Sequence, residues 1–246
     1  MYSGENKIVV LTDVGSTNNY ASQLVSDKPE ECTVVLAQFQ EKGRGQQGNY
    51  WESEPGKNLL MSVILYPGFL PTDKQFYISK IVSLALVHTL DSKVKDLSIK
   101  WPNDIYISNR KVAGILIENA IKAVHLDYSI VGIGLNLNQE EFVSDAPNPV
   151  SLKMLTGQNY NINEVVDEFL SVFKDWYKSL QKGKLSKIDA AYLDRLFGRN
   201  EWRTFRSENT EFEARIAGIG DYGKLQLQER SGNIREFMFK EVEFVL

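Results

Sequence analysis

Four short polar segments of this 246-residue chain carry the residue types that could do chemistry. They read STN at 16–18, QEKGRGQQGNYW at 40–51, KWPNDIYISNRKVAG at 100–114 and GIGLNLN at 132–138. Arg44 has a guanidinium that suits a phosphate or carboxylate, and Lys111 and Asp104 add a cation and a carboxylate. The first three segments also have a simpler interpretation as a helix cap, a surface loop or a turn, and the glycines of the fourth as a strand bulge.

The glycines at 43–48 spell GxGxxG after the apolar run TVVLAQF, which is the spacing of a dinucleotide-binding turn. That turn must open a helix whose N-terminus meets a pyrophosphate. Here Pro55 and Gly56 prevent a helix of useful length, and a second GxGxxG at 218–223 lies in a predicted hairpin. We therefore reject a dinucleotide site and interpret the loop as flexible backbone around Arg44 and Trp51.

Composition excludes several classes of function. The net charge of −4 provides no basic field for nucleic acid. Two histidines, His88 and His125, and one cysteine, Cys32, cannot build a zinc cage, and neither histidine is placed for a Ser/His/Asp triad. No apolar run approaches the ~20 residues that a membrane helix needs, and no signal peptide is evident. We expect a cytoplasmic protein that binds neither nucleic acid nor membrane.

Periodicity predicts the elements that position these segments. The expected strands are 8–14, 32–39, 58–67, three within 98–120, and 125–138; the expected helices are about 17–26, 73–92, 163–182 and 188–196. A side-chain oxygen of Ser16 or Thr17 is expected to cap the first helix. Short turns within 98–138 require antiparallel pairing, which excludes a purely parallel sheet. Residues 1–197 are expected to form an α+β domain, and short alternating strands at 198–246 a small β-barrel.

Taken in order, the motifs resemble those of the biotin protein ligases. KWPND followed closely by KVAGILIE is highly specific, whereas the glycine loop alone is not. The resemblance covers essentially the whole chain. It implies a mixed, largely antiparallel sheet flanked by helices, of the type shared with class II aminoacyl-tRNA synthetases, and an SH3-like C-terminal domain.

The resemblance implies a two-step reaction. Biotin and Mg·ATP form biotinyl-5′-AMP and pyrophosphate, and a lysine of a biotin carboxyl carrier domain then attacks the mixed anhydride. No dedicated metal site is implied, since Mg²⁺ would be bound mainly through ATP. The residues matching catalytic positions are Lys111, Arg44 and Asp104. Asp104 is open to two roles: positioning Mg·ATP, or assisting deprotonation of the acceptor lysine.

The remaining site residues also follow from the resemblance. Those matching biotin-binding positions are Ser16, Thr17, Asn18, Gln40, Gly43, Arg44, Gly45, Gln46, Lys111, Gly114, Gly132 and Gly134. Those matching positions for ATP or the adenylate are Arg44, Trp51, Asn103, Asp104, Lys111 and Asn136. The glycines are expected to let strands approach biotin closely.

The chain departs from the family pattern in three places. Gln46, Gln47 and Asn49 stand where the well-known loop has arginines, so the loop is expected to hold the adenylate less strongly by charge. The ending KEVEFVL lacks the usual GEISLR-type sequence, which leaves a nucleotide contact from that domain in doubt. The first strand begins within ten residues, which leaves no room for a helix-turn-helix, so we expect a ligase without DNA-binding activity.

Three alternatives remain open. A lipoate–protein ligase shares the fold, although its arginine–glycine–glycine loop and histidine–aspartate pair are absent. A non-catalytic relic is disfavoured by intact Lys111, Arg44 and Asp104, and an RNA-binding β-barrel protein by the acidic balance. The sequence leaves open whether the chain is a monomer or a homodimer and which carboxylases it modifies.

Overall fold

The computed structural model describes residues 7–144 and 148–245, without the side chain of Gln47. The larger part contains seven strands, β1 (Ile8–Val14), β2 (Val34–Gln40), β3 (Leu59–Leu65), β4 (Leu97–Lys100), β5 (Asp104–Ile107), β6 (Arg110–Lys122) and β7 (His125–Leu135). The α-helices among these described residues are α1 (Thr17–Leu24), α2 (Phe76–Leu90), α3 (Leu152–Thr156), α4 (Ile162–Gln181) and α5 (Leu185–Asp194).

The seven strands form one mixed sheet in the order β1-β2-β3-β7-β6-β5-β4. The helix α1 crosses over between β1 and β2, which pair in parallel. Every other neighbouring pair is antiparallel, as the tight turns from β5 to β6 and from β6 to β7 require for those two pairs. The expected α+β class with a largely antiparallel sheet is therefore confirmed.

The core lies between this sheet and the two long helices. Every residue of β3 is buried, as its continuous apolar run LLMSVIL requires of a central strand. The helix α4 buries one face, and its buried residues follow helical spacing: Val165, Val166, Phe169, Leu170, Phe173, Trp176, Tyr177 and Leu180. Phe173 stacks on Phe169 and on Tyr177 within that face. The apolar face expected for this helix from the sequence is therefore the face that α4 buries in the core.

The structure corrects three local expectations. Ser16 is the N-cap residue of α1 and has an extended backbone, but its side chain makes no capping hydrogen bond. The second strand begins at Val34 rather than 32, since Cys32 has a left-handed φ of 64°. The short helix α3 was not expected; the Ser151 side chain caps it by accepting a hydrogen bond from the backbone N–H of Met154.

The chain beyond α5 forms a second, five-stranded antiparallel sheet. Its strands are β8 (Arg203–Ser207), β9 (Thr210–Ile219), β10 (Leu225–Glu229), β11 (Ile234–Phe237) and β12 (Glu243–Phe244), in the order β11-β10-β9-β8-β12. The division proposed between residues 197 and 198 falls in the turn before β8. None of the helices that the structure describes combines the length and apolar content needed to cross a membrane.

Trp101 joins the two sheets. Its side chain is 5% exposed, and its indole Nε1–H donates to the carbonyl oxygen of Gly223 at 2.8 Å. Its ring meets Phe239 edge-on, with 6.2 Å between centroids. The bend of the KWPND segment is therefore held by a contact with the second sheet.

We predict that Trp101→Phe lowers the free energy of unfolding by about 1–3 kcal/mol, because it leaves the buried Gly223 carbonyl without its donor. Urea unfolding at constant pH measures this difference. Trp202→Phe is the matched control, since Trp202 is only half-buried and its ring lies against Arg215 and Arg230. Equal losses for the two variants would contradict the prediction.

Candidate active site

A cavity of about 410 Å³ opens where the two sheets meet. Among the residues singled out from the sequence, those lining it are Ser16, Thr17, Asn18, Gln40, Arg44, Gly45, Gln46, Trp51, Asn103, Asp104, Lys111, Gly114, Gly132 and Gly134. Two of the predicted site residues do not line the cavity. Gly43 lies against the backbone of Trp51, and Asn136 is buried, with its side-chain amide donating to the Val150 carbonyl.

A neutral polar network forms one end of the cavity. The backbone N–H and the hydroxyl of Thr17 both donate to Gln40 Oε1, at 2.7 and 3.0 Å. Ser62 Oγ lies 2.8 Å from Thr17 Oγ1 and 2.6 Å from Asn18 Oδ1. All four side chains are buried, so these bonds fix their positions and leave a pre-organised set of neutral groups. Ser62 was missed from the sequence, where it was one polar residue inside the apolar run of β3.

Two strand glycines make room for protein side chains at the cavity wall. A Cβ on Gly132 would lie 2.3 Å from Asn18 Oδ1, and one on Gly134 would lie 2.3 Å from Cε2 of Trp51. From the sequence, these glycines are expected to admit a ligand. In the structure the space above them holds Asn18 and the indole of Trp51.

A charged pair stands at the other end of the cavity. Lys111 Nζ lies 2.7 Å from Asp104 Oδ1, and both side chains are mostly buried. The pairing of β5 with β6 brings them together, with Asp104 opposite Gly114 and Tyr106 opposite Lys111. Lys111 Nζ also lies 5.7 Å from the centroid of the Trp51 ring.

The bend before β5 is fastened to β6 by two hydrogen bonds. Asn103 Nδ2 donates to the Ile115 carbonyl at 2.9 Å, and the Ile115 N–H donates back to the Asn103 carbonyl at 2.9 Å. These bonds orient the backbone just before Asp104. Asn103 therefore helps to position Asp104 by fixing the backbone beside it.

Lys100 is a cation at the cavity wall that the sequence analysis did not single out, although it opens the KWPND motif. Burial lowers the pKa of its ammonium, and the nearby Lys111 lowers it further, while Asp104 acts in the opposite direction. Its Nζ lies 3.3 Å from Tyr106 Oη and 4.8 Å from the centroid of that ring. Burial, with the charge of Asp104, raises the pKa of Tyr106 to about 12, so this hydroxyl stays protonated.

The glycine loop covers the cavity. Within it, the Gly45 N–H donates to the Asn49 carbonyl and the Trp51 N–H to the Gly43 carbonyl. Gln46 Oε1 and Trp51 Nε1 are buried and have no hydrogen-bond partner among the described residues. Both residues line the cavity, and each of these atoms lacks the partner that a buried polar atom usually has.

The end of the loop is anchored by Glu52. Its carboxylate accepts hydrogen bonds from the backbone N–H groups of Val143 and Ser144, each at 2.9 Å. Burial raises the pKa of this carboxyl, but hydrogen bonds from Ser144 and Val143 outweigh that effect and lower it overall. Glu52 therefore fixes the chain directly after Trp51.

The second sheet also contributes to the wall. Phe239, Lys240, Val242, Glu243 and Phe244 line the cavity on the side of Lys100. Lys100 Nζ lies 5.6 Å from the centroid of the Phe244 ring. The C-terminal segment thus closes the cationic end of the cavity, despite its departure from the usual ending.

We predict that Gly134→Ala destabilises the fold by about 1–3 kcal/mol, because its new methyl group overlaps the Trp51 ring. Urea unfolding of Gly134→Ala, Trp51→Ala and the double variant forms a cycle that isolates this contact. The cost of the alanine should largely disappear in the Trp51→Ala background. A cost that is the same in both backgrounds would mean that the overlap with Trp51 is not its cause.

The model of the biotin/lipoate A/B protein ligase family matches residues 11–136. The biotin–[acetyl-CoA-carboxylase] ligase of Paracoccus denitrificans is 31% identical over 232 residues, covering 91% of this chain and 95% of that protein. The bifunctional ligase/repressor BirA of Bacillus spizizenii is 28% identical over 236 residues, covering 94% of this chain and 71% of that protein.

A solved structure agrees in fold. The biotin protein ligase from Aquifex aeolicus in complex with biotin and ATP superposes with a TM-score of 0.80 at 24% identity, covering 97% of this chain and 98% of that one. The matched family region contains the loop over the cavity, the charged pair and the strand glycines. The chain belongs to the biotin/lipoate A/B protein ligase family.

Proposed function

We propose that the protein is a biotin protein ligase, which activates biotin with ATP and transfers it to a lysine of a biotin carboxyl carrier domain. The proposal rests on one observation: the two ends of the cavity differ in charge. One end offers the neutral network around Thr17 and Gln40, and the other holds the Lys111–Asp104 pair at 2.7 Å. Biotin has a neutral ureido ring and a carboxylate at the end of a chain, so it matches both ends.

The neutral end suits the ureido group. That group presents one carbonyl acceptor and two N–H donors, and hydroxyls and amides can complement both types. We assign this recognition to Ser16, Thr17, Asn18 and Gln40. Their mutual hydrogen bonds hold them in place before the ligand arrives, which reduces the entropy lost on binding.

In the first step, a carboxylate oxygen of biotin attacks the α-phosphorus of ATP, and the bond from that phosphorus to the pyrophosphate oxygen breaks. Both reacting groups are negative, so a cation must offset their repulsion. Lys111 is assigned this role, with Arg44 on the lid and Lys100 on the opposite wall adding positive charge. Mg²⁺ enters as Mg·ATP, and Asp104 is the carboxylate that would position it.

In the second step, the neutral amine of the acceptor lysine attacks the carbonyl carbon of the mixed anhydride, and AMP leaves. The ammonium must first lose a proton, and Asp104 is a carboxylate near the reacting atoms that can assist this. The loop over the cavity excludes water, which would otherwise hydrolyse the anhydride.

The single cysteine of the chain suits a reducing cytoplasm, where the protein would meet carrier domains and ATP.

We predict that mixing the protein with biotin, Mg·ATP and a carrier domain raises the carrier's mass by one biotin, while lipoate in place of biotin gives no adduct. Lys111→Met should reduce pyrophosphate release by about 10²–10³-fold, the cost of losing one charge-stabilising group. Lys122→Met is the matched control, because Lys122 lies exposed at the far end of the same strand.

Two results of this assay would refute the assignment. Full activity of Lys111→Met would contradict the mechanism while leaving the family intact. An adduct with lipoate rather than biotin would replace the proposed substrate.

We also predict that Gln46→Arg slows the release of biotinyl-AMP by about tenfold, or about 1.4 kcal/mol, because a charge-assisted bond to the phosphate replaces a neutral one. Fluorescent or radiolabelled adenylate measures the release rate. Gln158→Arg adds the same charge to the exposed connection between α3 and α4 and should leave that rate unchanged. An unchanged rate for Gln46→Arg would show that this position does not face the adenylate.

A further inference from the structure

Glu118 is a carboxylate on β6 that none of the assignments above uses. It lies outside the wall of the main cavity and borders a smaller pocket of about 220 Å³, together with Asn19 and Arg44. Its Oε1 accepts a hydrogen bond from Arg44 Nη2 at 2.7 Å. Its Oε2 accepts from Asn18 Nδ2 at 2.8 Å and from Arg44 Nη1 at 3.2 Å. One side chain thus joins the neutral network to the loop.

Arg44 is the side chain that ties the tip of the loop, residues 44–50, to the rest of the protein. The described side-chain hydrogen bonds that leave this tip belong to Arg44, which reaches Glu118 and Asn19. The backbone bonds described at the tip remain inside the loop. Because glycines flank Arg44, its side chain rather than local backbone stiffness holds the loop over the cavity.

The geometry of the pair leaves part of the guanidinium free. Nη1 donates to Asn19 Oδ1 at 2.6 Å and to Glu118, and Nη2 donates one hydrogen to Glu118. The Nε–H and the second Nη2–H are not used by these bonds. Arg44 lines the cavity while it is bound to Glu118, so it can contact a ligand without leaving this partner.

The same carboxylate orients Asn18. The Asn18 amide donates to Glu118 and to the Leu116 carbonyl, and its Oδ1 lies against Ser62 Oγ. Every polar atom of this side chain is therefore engaged. The orientation of Asn18 in the neutral network and the position of the lid depend on one group.

We propose that Glu118 is a positioning residue. Through Arg44 it holds the loop closed over the cavity and orients the unused N–H groups of Arg44 toward the cavity. It also fixes the orientation of the Asn18 side chain. Glu118 holds the loop closed in the ligand-free protein as well. Only the expected effect of Glu118 on the release of biotinyl-AMP rests on the proposed function.

The test is Glu118→Gln, which preserves the shape and removes the charge. A glutamine also places an N–H group against Arg44 or Asn18, both of which donate at this point. The matched control is Glu168→Gln, because Glu168 forms a surface ion pair with Lys93 far from the loop. Backbone amide exchange of residues 44–50 is measured without ligand, and biotinyl-AMP release is measured by rapid dilution.

For Glu118→Gln we expect amide exchange in 44–50 and biotinyl-AMP release to rise about three- to tenfold, the range for a half-exposed bidentate pair. The KM for biotin should rise more than kcat falls. The midpoint of thermal unfolding should stay near that of Glu168→Gln. Glu118→Asp, which restores the charge, should recover part of the slow release.

A double variant tests whether the two residues act as one unit. Arg44→Gln together with Glu118→Gln should raise exchange in 44–50 no further than either change alone. If amide exchange of 44–50 is unchanged in Glu118→Gln, Glu118 does not hold the loop closed and the proposal is wrong. If this variant releases biotinyl-AMP more slowly, Glu118 competes with the adenylate for Arg44, which also contradicts the proposal. If the wild type makes no biotinyl-AMP, the proposed function fails, while the exchange experiment still decides the role of Glu118.

Discussion

The register between β5 and β6 determines where the charges of the cavity lie. Asp104 pairs with Gly114 and Tyr106 with Lys111, across an irregularity in the ladder between Ile105 and Tyr106. A shift of one residue would turn each side chain to the opposite face of the sheet. The hydrogen bonds between Asn103 and Ile115 hold this register at the bend. The approach of Lys111 to Asp104 therefore follows from backbone pairing.

That register also neutralises a charge inside the site. Lys111 is paired with Asp104, which lowers the cost of holding this cation largely out of bulk water, whereas Arg44 pairs with Glu118 at the half-exposed loop. Lys100 lies among aromatic rings, and burial lowers the pKa of its ammonium. A negatively charged ligand would reduce this cost for Lys100, so the same burial that disfavours its charge favours an anion beside it.

The second sheet has a structural part in the site. Trp101, in the motif that leads into β5, donates its indole N–H to Gly223, and Phe244 lies beside Lys100. Buried apolar residues of the two sheets, such as Ile105 and Leu227, belong to one contiguous core. The cavity thus forms at a junction, and its shape depends on how the two sheets pack.

Residue types and their spacing identified the family, the class of the sheet and many of the residues that line the cavity. Lys111, Asp104 and Arg44 were visible because charged residues at motif spacing differ from the apolar runs beside them, and the face of α4 was visible from its helical period. Spacing cannot encode contacts between side chains that are distant along the chain. Ser62 and Glu118 became neighbours of Asn18 only when β3, β6 and α1 converged, and Lys100 met Phe244 only when the second sheet packed against the first. The glycines at 132 and 134 showed the same limit: the sequence indicated a close approach, but only the packed structure showed that Asn18 and Trp51 make it.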